Sequence, residues 1–409
     1  MGKLMKAASA CSNEINIPRL VIMCGNAEVL NINMDEGDIN IVNEFLLPFR
    51  LKNTFKFHKR TGNAEKDFKY IYKYNTDNKQ AILNWLASRT LLLSRTNAKK
   101  LYQAFRLEQL QDEVSRAKLA ISCRALSILD NYWVKLDIDS TTWDMVNLRC
   151  NSINQAVAQV ALHGTSLSLQ GSLVSPEFTT NGAYAKAWRR DDDGSLWLYK
   201  LNDMQSTAKV EVMVSNILDC TNVNHCHYEA RKDMGKYVCA CPAMTSDEIS
   251  IADGLTFVGY CNRIGINPDE YLREHDKDNY YSMFIIDYLI ANPDRHGQNW
   301  GIAYNSETME ILGLHPLFDH NNAFDKDVMN DEEYKSHFLD NTLKQNAIMA
   351  IRNGCNFKFT KPITRDIFLT SKQYDCFMHR LSQLNSESLN YHNHDIYNFN
   401  IYNSFKLKV

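Results

Sequence analysis

The chain has 409 residues, with 45 Lys and Arg against 48 Asp and Glu for a formal charge of −3; it is long enough for more than one core and too balanced to announce nucleic acid or an anionic membrane as an obligatory partner. Eleven cysteines at irregular spacings argue against a disulfide framework and for reduced thiols. No stretch reaches the roughly 20 uninterrupted apolar residues of a membrane-spanning helix, and no apolar run follows Lys3 and Lys6, so the expected setting is the cytoplasm.

Residues 1–60 have a strand-and-turn texture, in which Leu20-Val21-Ile22-Met23 and Phe45-Leu46-Leu47 are broken by Gly25, Gly37 and Pro48. From Lys79 onward, Ile82, Trp85, Leu86, Leu101, Phe105, Leu110, Val114 and Leu119 recur near helical spacing, which predicts two or three helices ending near Asp130. A Trp-bearing segment, residues 132–136 with Trp143, precedes a polar, glycine-containing stretch over 163–181. Residues 183–188 and 196–200 flank Asp191-Asp192-Asp193-Gly194, a hairpin signature. Val210, Met213, Val214, Ile217 and Leu218 share one stripe of a helix predicted over 208–220. Residues 237–242 read as a short strand stopped by Pro242, and an apolar helix over 278–290 runs into Asn292-Pro293-Asp294. Beyond Phe324 the chain reads as mostly helical, with an Asn- and Tyr-rich tail after Leu389.

The most informative segment is Asn292-Pro293-Asp294-Arg295-His296-Gly297-Gln298-Asn299, followed further on by Pro316-Leu317-Phe318-Asp319. An Asp and an Asn five apart on one loop, with a second Asp on the next strand-like run, suit phosphoryl transfer. One carboxylate orients or deprotonates the acceptor hydroxyl, while an amide oxygen and the second carboxylate hold magnesium against the phosphates. The spacing of Asp294 and Asn299 equals that of a kinase catalytic loop. The bland alternative is an Asn-Pro-Asp cap followed by solvated polar residues.

Such chemistry also needs a strand lysine for the phosphates and a helix carboxylate to hold it. Lys200 ends the second hairpin strand, and Glu211 lies early in the next helix, off its apolar stripe. Singly these suit a snorkelling strand end and a solvated helix residue; in this order they favour the functional pair. A small-residue loop should precede the hairpin, and Ser166-Leu167-Ser168-Leu169-Gln170-Gly171-Ser172 stands there, with Ser168, Gly171 and Ser172 as candidate nucleotide contacts. An ordinary Ser-rich loop fits the same residues. Cys239 and Cys241, ahead of Pro242, fall by chain order where the hinge behind the adenine belongs. A metal site built from Cys220, His225, Cys226, His227, Cys239 and Cys241 lacks zinc-ligand spacing, and neighbours on an extended segment point to opposite faces. No structural zinc is expected among them. His392 and His394 read as solvated tail residues.

With these residues in hand, the chain resembles the HipA-like kinases, bacterial Ser/Thr protein kinases often found as toxins, from about Ser127 to Phe324. The likeness is strongest at Asp294-Arg295-His296-Gly297-Gln298-Asn299 and Pro316-Leu317-Phe318-Asp319. It implies an α+β, bilobal kinase-like fold: an accessory region over 1–126, a sheet-rich lobe over 127–242 and a helical lobe over 243–409. It also implies ATP and Mg2+, with Asp294 as catalytic base, Asn299 and Asp319 as metal ligands, Lys200 as phosphate lysine held by Glu211, and Gly171 in the nucleotide loop. His296 matches the catalytic loop. Ser168 holds the position of an autophosphorylated switch serine, although Gly171-Ser172-Leu173-Val174-Ser175-Pro176 replaces the usual Gly-x-Gln-x-Lys continuation. An antitoxin-like protein partner belongs to the same resemblance. The Asp-Arg-His-x-x-Asn string is shared with phosphoinositide kinases, so a lipid acceptor stays open beside a protein Ser or Thr, as does a nucleotide-binding pseudokinase without turnover.

Overall fold

A computed structural model of the chain describes residues 19–107, 112–137, 139–169, 173–180, 182–201 and 206–392. The N-terminal sheet is antiparallel, built from β1 (Arg19–Cys24), β2 (Ala27–Asn33), β3 (Ile39–Ile41) and β4 (Tyr132–Leu136) in the order β3-β2-β1-β4. Both faces of β1 are buried. Leu20 and Ile22 join the main core with Trp85 and Leu86 of the helix Ala64–Ser88, whereas Val21 and Met23 pack with Trp133, Trp143 and Trp188. That double burial is why the strand reads as an unbroken apolar run. Because β4 pairs with β1, this sheet spans the boundary expected at 126/127.

The helix Ala64–Ser88 begins well before the expected Lys79. Asn63 caps it by accepting the Lys66 N–H at 3.0 Å, but Phe68 and Tyr72 in its first half are exposed, so no apolar stripe marks the early turns.

The second sheet holds the expected hairpin as β5 (Ala185–Arg190) and β6 (Leu196–Leu201), extended by β7 (Glu229–Asp233) and β8 (Lys236–Pro242) in the order β5-β6-β8-β7. Gly194, at φ +86°, closes the hairpin turn. Strand alternation sorts the two faces. Ala185, Ala187, Tyr199, Leu201, Val238 and Ala240 share a core with the helix Gln155–His163. Lys186, Lys200, Cys239 and Cys241 occupy the other face, where Ala208 of the helix Ser206–Leu218 packs on the two cysteines.

Every residue from Tyr280 to Leu289 of the helix Lys277–Leu289 is buried. Apolar on all sides apart from Ser282 and Asp287, it is the central helix of the C-terminal half, packed by Leu343–Arg352 and Ser371–His392. This half was expected to be helical, and it also contains a sheet of β9 (Ile249–Asp253), β10 (Gly301–Asn305) and β11 (Ile311–Leu314), in the order β11-β10-β9. Strands of four and five residues are too short to leave a clear alternation. Gly301 permits the close approach of β10 to β9, since a Cβ there would run into the Ala252 carbonyl. The Asp294 loop enters β10 and Asp319 follows β11. The fold class is α+β, with a sheet-rich half carrying Lys200 and a helical half carrying the Asp294 and Asp319 loops.

Candidate active site

Three elements converge on the Lys200 ammonium. Lys200 lies on β6 directly across from Cys239 of β8 and Lys186 of β5. Its Nζ donates to Glu211 Oε2 at 3.2 Å, to the Tyr228 hydroxyl at 2.9 Å and to Asp319 Oδ1 at 3.0 Å, which uses all three donors of an ammonium. Lys200 and Glu211 are 5% and 1% exposed, so the pair is held out of bulk water. Glu211, expected off the apolar stripe, is turned inward because that position faces the lysine side of the sheet. Its Oε1 accepts the His320 N–H at 3.0 Å, tying the helix to the backbone just after Asp319.

Burial alone would lower the Lys200 pKa; Asp319, then Glu211, outweigh it and hold the ammonium well above the usual lysine range. Burial likewise works to raise Asp319, but Lys200 and then Lys186 hold its carboxyl well below the usual carboxylate range. Asp319 adopts the left-handed region at φ +61°, which Asp tolerates better than most residues. Its neighbours fix it there: Phe318 O accepts from Arg295 Nη1 at 2.9 Å, and Asp319 Oδ1 also accepts from Asn321 Nδ2 at 3.2 Å.

The Asp294 loop is pinned from beneath by Arg295. Its buried guanidinium donates from Nε and Nη2 to the two Asp287 oxygens at 3.0 and 2.9 Å, and from Nη1 to the carbonyls of Asn299 and Phe318 at 2.5 and 2.9 Å. One side chain thus joins the central helix to both functional loops. Asn292 bridges Asp287 and the Asp294 N–H. Asp294 Oδ2 accepts from Asn322 Nδ2 at 2.8 Å, and Asn299 Nδ2 donates to the Asp294 carbonyl at 2.8 Å. With the Asn299 amide nitrogen so engaged, its oxygen is the group left to accept or ligate.

Lys200, Glu211 and Asp319 are therefore in direct contact, Asp294 and Asn299 touch each other, and the 319–322 turn links the two groups. His296 is more peripheral: its Nε2 lies 3.8 Å from Asp294 Oδ1 and its Nδ1 accepts the Gln298 N–H. Cys239 lines a cleft with Tyr184, Lys200, Thr207, Glu211 and Asn321, whereas Cys241 is buried with Cys226 and Tyr228. Ser168 is exposed, beside Leu169, whose N–H donates to the Ala104 carbonyl at 2.8 Å. Gly171 and Ser172 lie outside the described residues, as do His394 and the His392 side chain.

Tyr228, Asp287, Lys186 and Asn322 went unnoticed in the sequence. Asp287 left a usable signal: it is the one charged residue between Asp278 and Asp294, inside the apolar run that ends at the loop. The others occupy unremarkable contexts. His225 and His227, set aside with the cysteines, do share a face, and the residue they meet is Asp219.

Residues 244–361 match the model of the HipA-like kinase family. The chain carries a HipA-like kinase segment. That segment includes the central helix, the Asp294 loop and Asp319, while Lys200, Glu211 and Ser168 lie N-terminal to it. Among solved structures, the Helicobacter pylori proinflammatory kinase CtkA is similar at 15% identity and a TM-score of 0.34, over 50% of this chain and 91% of that one. Another is the Shewanella oneidensis MR-1 toxin–antitoxin complex of HipA, HipB and operator DNA, with 11% identity and a TM-score of 0.43 over 91% of this chain and 97% of that one. No curated protein matches.

Proposed function

We propose that the chain is an ATP- and magnesium-dependent kinase that transfers the γ-phosphoryl group to a Ser or Thr hydroxyl of a protein. The observation that supports this reading is the meeting of Lys200 with Glu211 and Asp319, each from a different element, beside a loop that holds Asp294 and Asn299. In this reading Glu211 positions Lys200, whose ammonium offsets charge on the phosphate oxygens. The Asp319 carboxylate and the Asn299 amide oxygen are hard oxygen donors, the kind magnesium takes; bound there, the ion neutralises charge on the phosphates. Asn322 holds Asp294 Oδ2, leaving Oδ1 to accept the proton of the acceptor hydroxyl. The acceptor oxygen bonds to the γ-phosphorus as the bond to the bridging oxygen breaks and ADP leaves.

The test is incubation with γ-labelled ATP and magnesium, comparing the wild type with Asp294→Ala and Asp319→Asn, with the labelled residue mapped by mass spectrometry. Transfer by the wild type that falls by about a thousandfold or more in both variants supports the reading. A variant that transfers at the wild-type rate overturns the assignment, and label found only on an inositol lipid replaces the protein acceptor.

A further inference from the structure

Outside the Lys200 cluster, Asp219, His225 and His227 bring one carboxylate and two imidazoles together, with ligand atoms all within 4.8 Å of one another. Asp219 Oδ1 stands 3.1 Å from His225 Nε2 and 3.3 Å from His227 Nδ1. A tetrahedral ion bound at about 2.0–2.1 Å has ligand-to-ligand edges of about 3.3 Å, and the Asp219 carboxylate lies at close to that length from both imidazoles, His227 Nδ1 being 3.2 Å from Oδ2 as well.

The hydrogen bonding of His225 is compatible with a ligand role. Its Nδ1 lies 2.9 Å from the Val223 carbonyl, which can only accept, so Nδ1 carries the proton. With Nδ1 so engaged, Nε2 is the ring atom that faces Asp219 Oδ1. A ring N–H donated to a backbone carbonyl is also the usual way a ligating histidine is oriented.

The backbone sets this geometry. Cys226 N–H donates to the Leu317 carbonyl at 2.8 Å, and Leu317 N–H to the Asn224 carbonyl at 3.0 Å, holding residues 224–226 extended. Positions 225 and 227 then fall on one side, while Cys226 and Tyr228 turn inward toward Lys200. Asp219 follows directly on the helix Ser206–Leu218, which carries Glu211.

We propose that Asp219, His225 and His227 form a binding site for a divalent transition ion of the zinc class, with a remaining position open to water beside the exposed His227. The ion would join the end of the Glu211 helix to the strand segment leading into Tyr228. The binding proposal is independent of the kinase reading.

The test is titration of the full, tag-free chain with Zn2+ by calorimetry, together with the visible absorption of the Co2+ form and thermal unfolding with and without Zn2+. Expected are one tight equivalent of Zn2+, a rise of a few degrees in the unfolding midpoint, and a Co2+ spectrum without thiolate charge-transfer absorption. His227→Ala, which removes an exposed side chain, and Asp219→Asn should each weaken uptake at least tenfold. Uptake unchanged in both variants, a thiolate band, or an unshifted midpoint with no micromolar uptake each overturns the site; the last outcome means that a proton on His225 bridges the pair.

Discussion

Lys200 and Asp319 meet at 3.0 Å although 119 positions separate them in the sequence, and Glu211 completes the contact from a third element. Removing the cation strands the buried Glu211 carboxylate and the partly buried Asp319 carboxylate, so Lys200→Met is expected to destabilise the fold by about 3 kcal/mol, read as a shift in the urea midpoint. The Lys200 pKa is raised on folding above 10.5. Its contribution is therefore complete below about pH 10.5 and fades as pH climbs through the folded value. Urea midpoints at pH 9 and pH 11 should diverge more in the wild type than in Lys200→Met.

Asn322 tests the placement of Asp294. Its amide holds Asp294 Oδ2 at 2.8 Å, without itself supplying a base or a metal ligand in the proposed mechanism. Asn322→Ala should lower kcat about tenfold or more while leaving the KM for ATP within about twofold. Steady-state kinetics with the acceptor identified by phosphosite mapping would check the split, and an unchanged kcat would remove Asn322 from the positioning role.

Acid stability should follow the buried histidines. Burial lowers His315 to about 4, and His320 well below its ordinary value. Between pH 6.5 and 4 the unfolded chain binds protons that the folded one refuses. The stability contributed by neutral His315 is thus present above about pH 6.5 and lost as pH falls toward 4, a change on the order of 3 kcal/mol. Denaturant midpoints at pH 7.5, 5.5 and 4.5 should fall more steeply in the wild type than in His315→Gln.

Gly301 tests the packing of the loop's exit strand. A Cβ at this position meets the Ala252 carbonyl and the Asp253 backbone, neither of which can move aside as a side-chain tip does. Gly301→Ala is expected to cost about 1–3 kcal/mol, visible as a lowered thermal midpoint. A midpoint equal to the wild type would show that β9 yields easily.

The short-range grammar of the chain was legible. Asp193-Gly194 between alternating runs marked the hairpin, and the stripe of Val210, Met213, Val214, Ile217 and Leu218 marked the Glu211 helix within two residues at each end. The early turns of Ala64–Ser88 and the strands β9 to β11 escaped because exposure of Phe68 and Tyr72, and strand brevity, erased the periodicity on which such reading depends. The pairing of β4 with β1 escaped because strand partners far apart in the chain leave no local mark.

What the sequence determined by itself is the chemistry on offer: a lysine at a strand end, a carboxylate early in the next helix, and Asp294, Asn299 and Asp319 at loop spacing. Tertiary structure alone decided who meets whom. It turned Glu211 inward, gave Lys200 the Tyr228 hydroxyl as a third partner, and anchored the Asp294 loop through Arg295 to Asp287. It also brought His225 and His227 to Asp219 rather than to the cysteines. The reason is physical: backbone propensity and side-chain periodicity act over a few residues, whereas buried charges find compensation only where the fold closes elements distant in sequence onto one another.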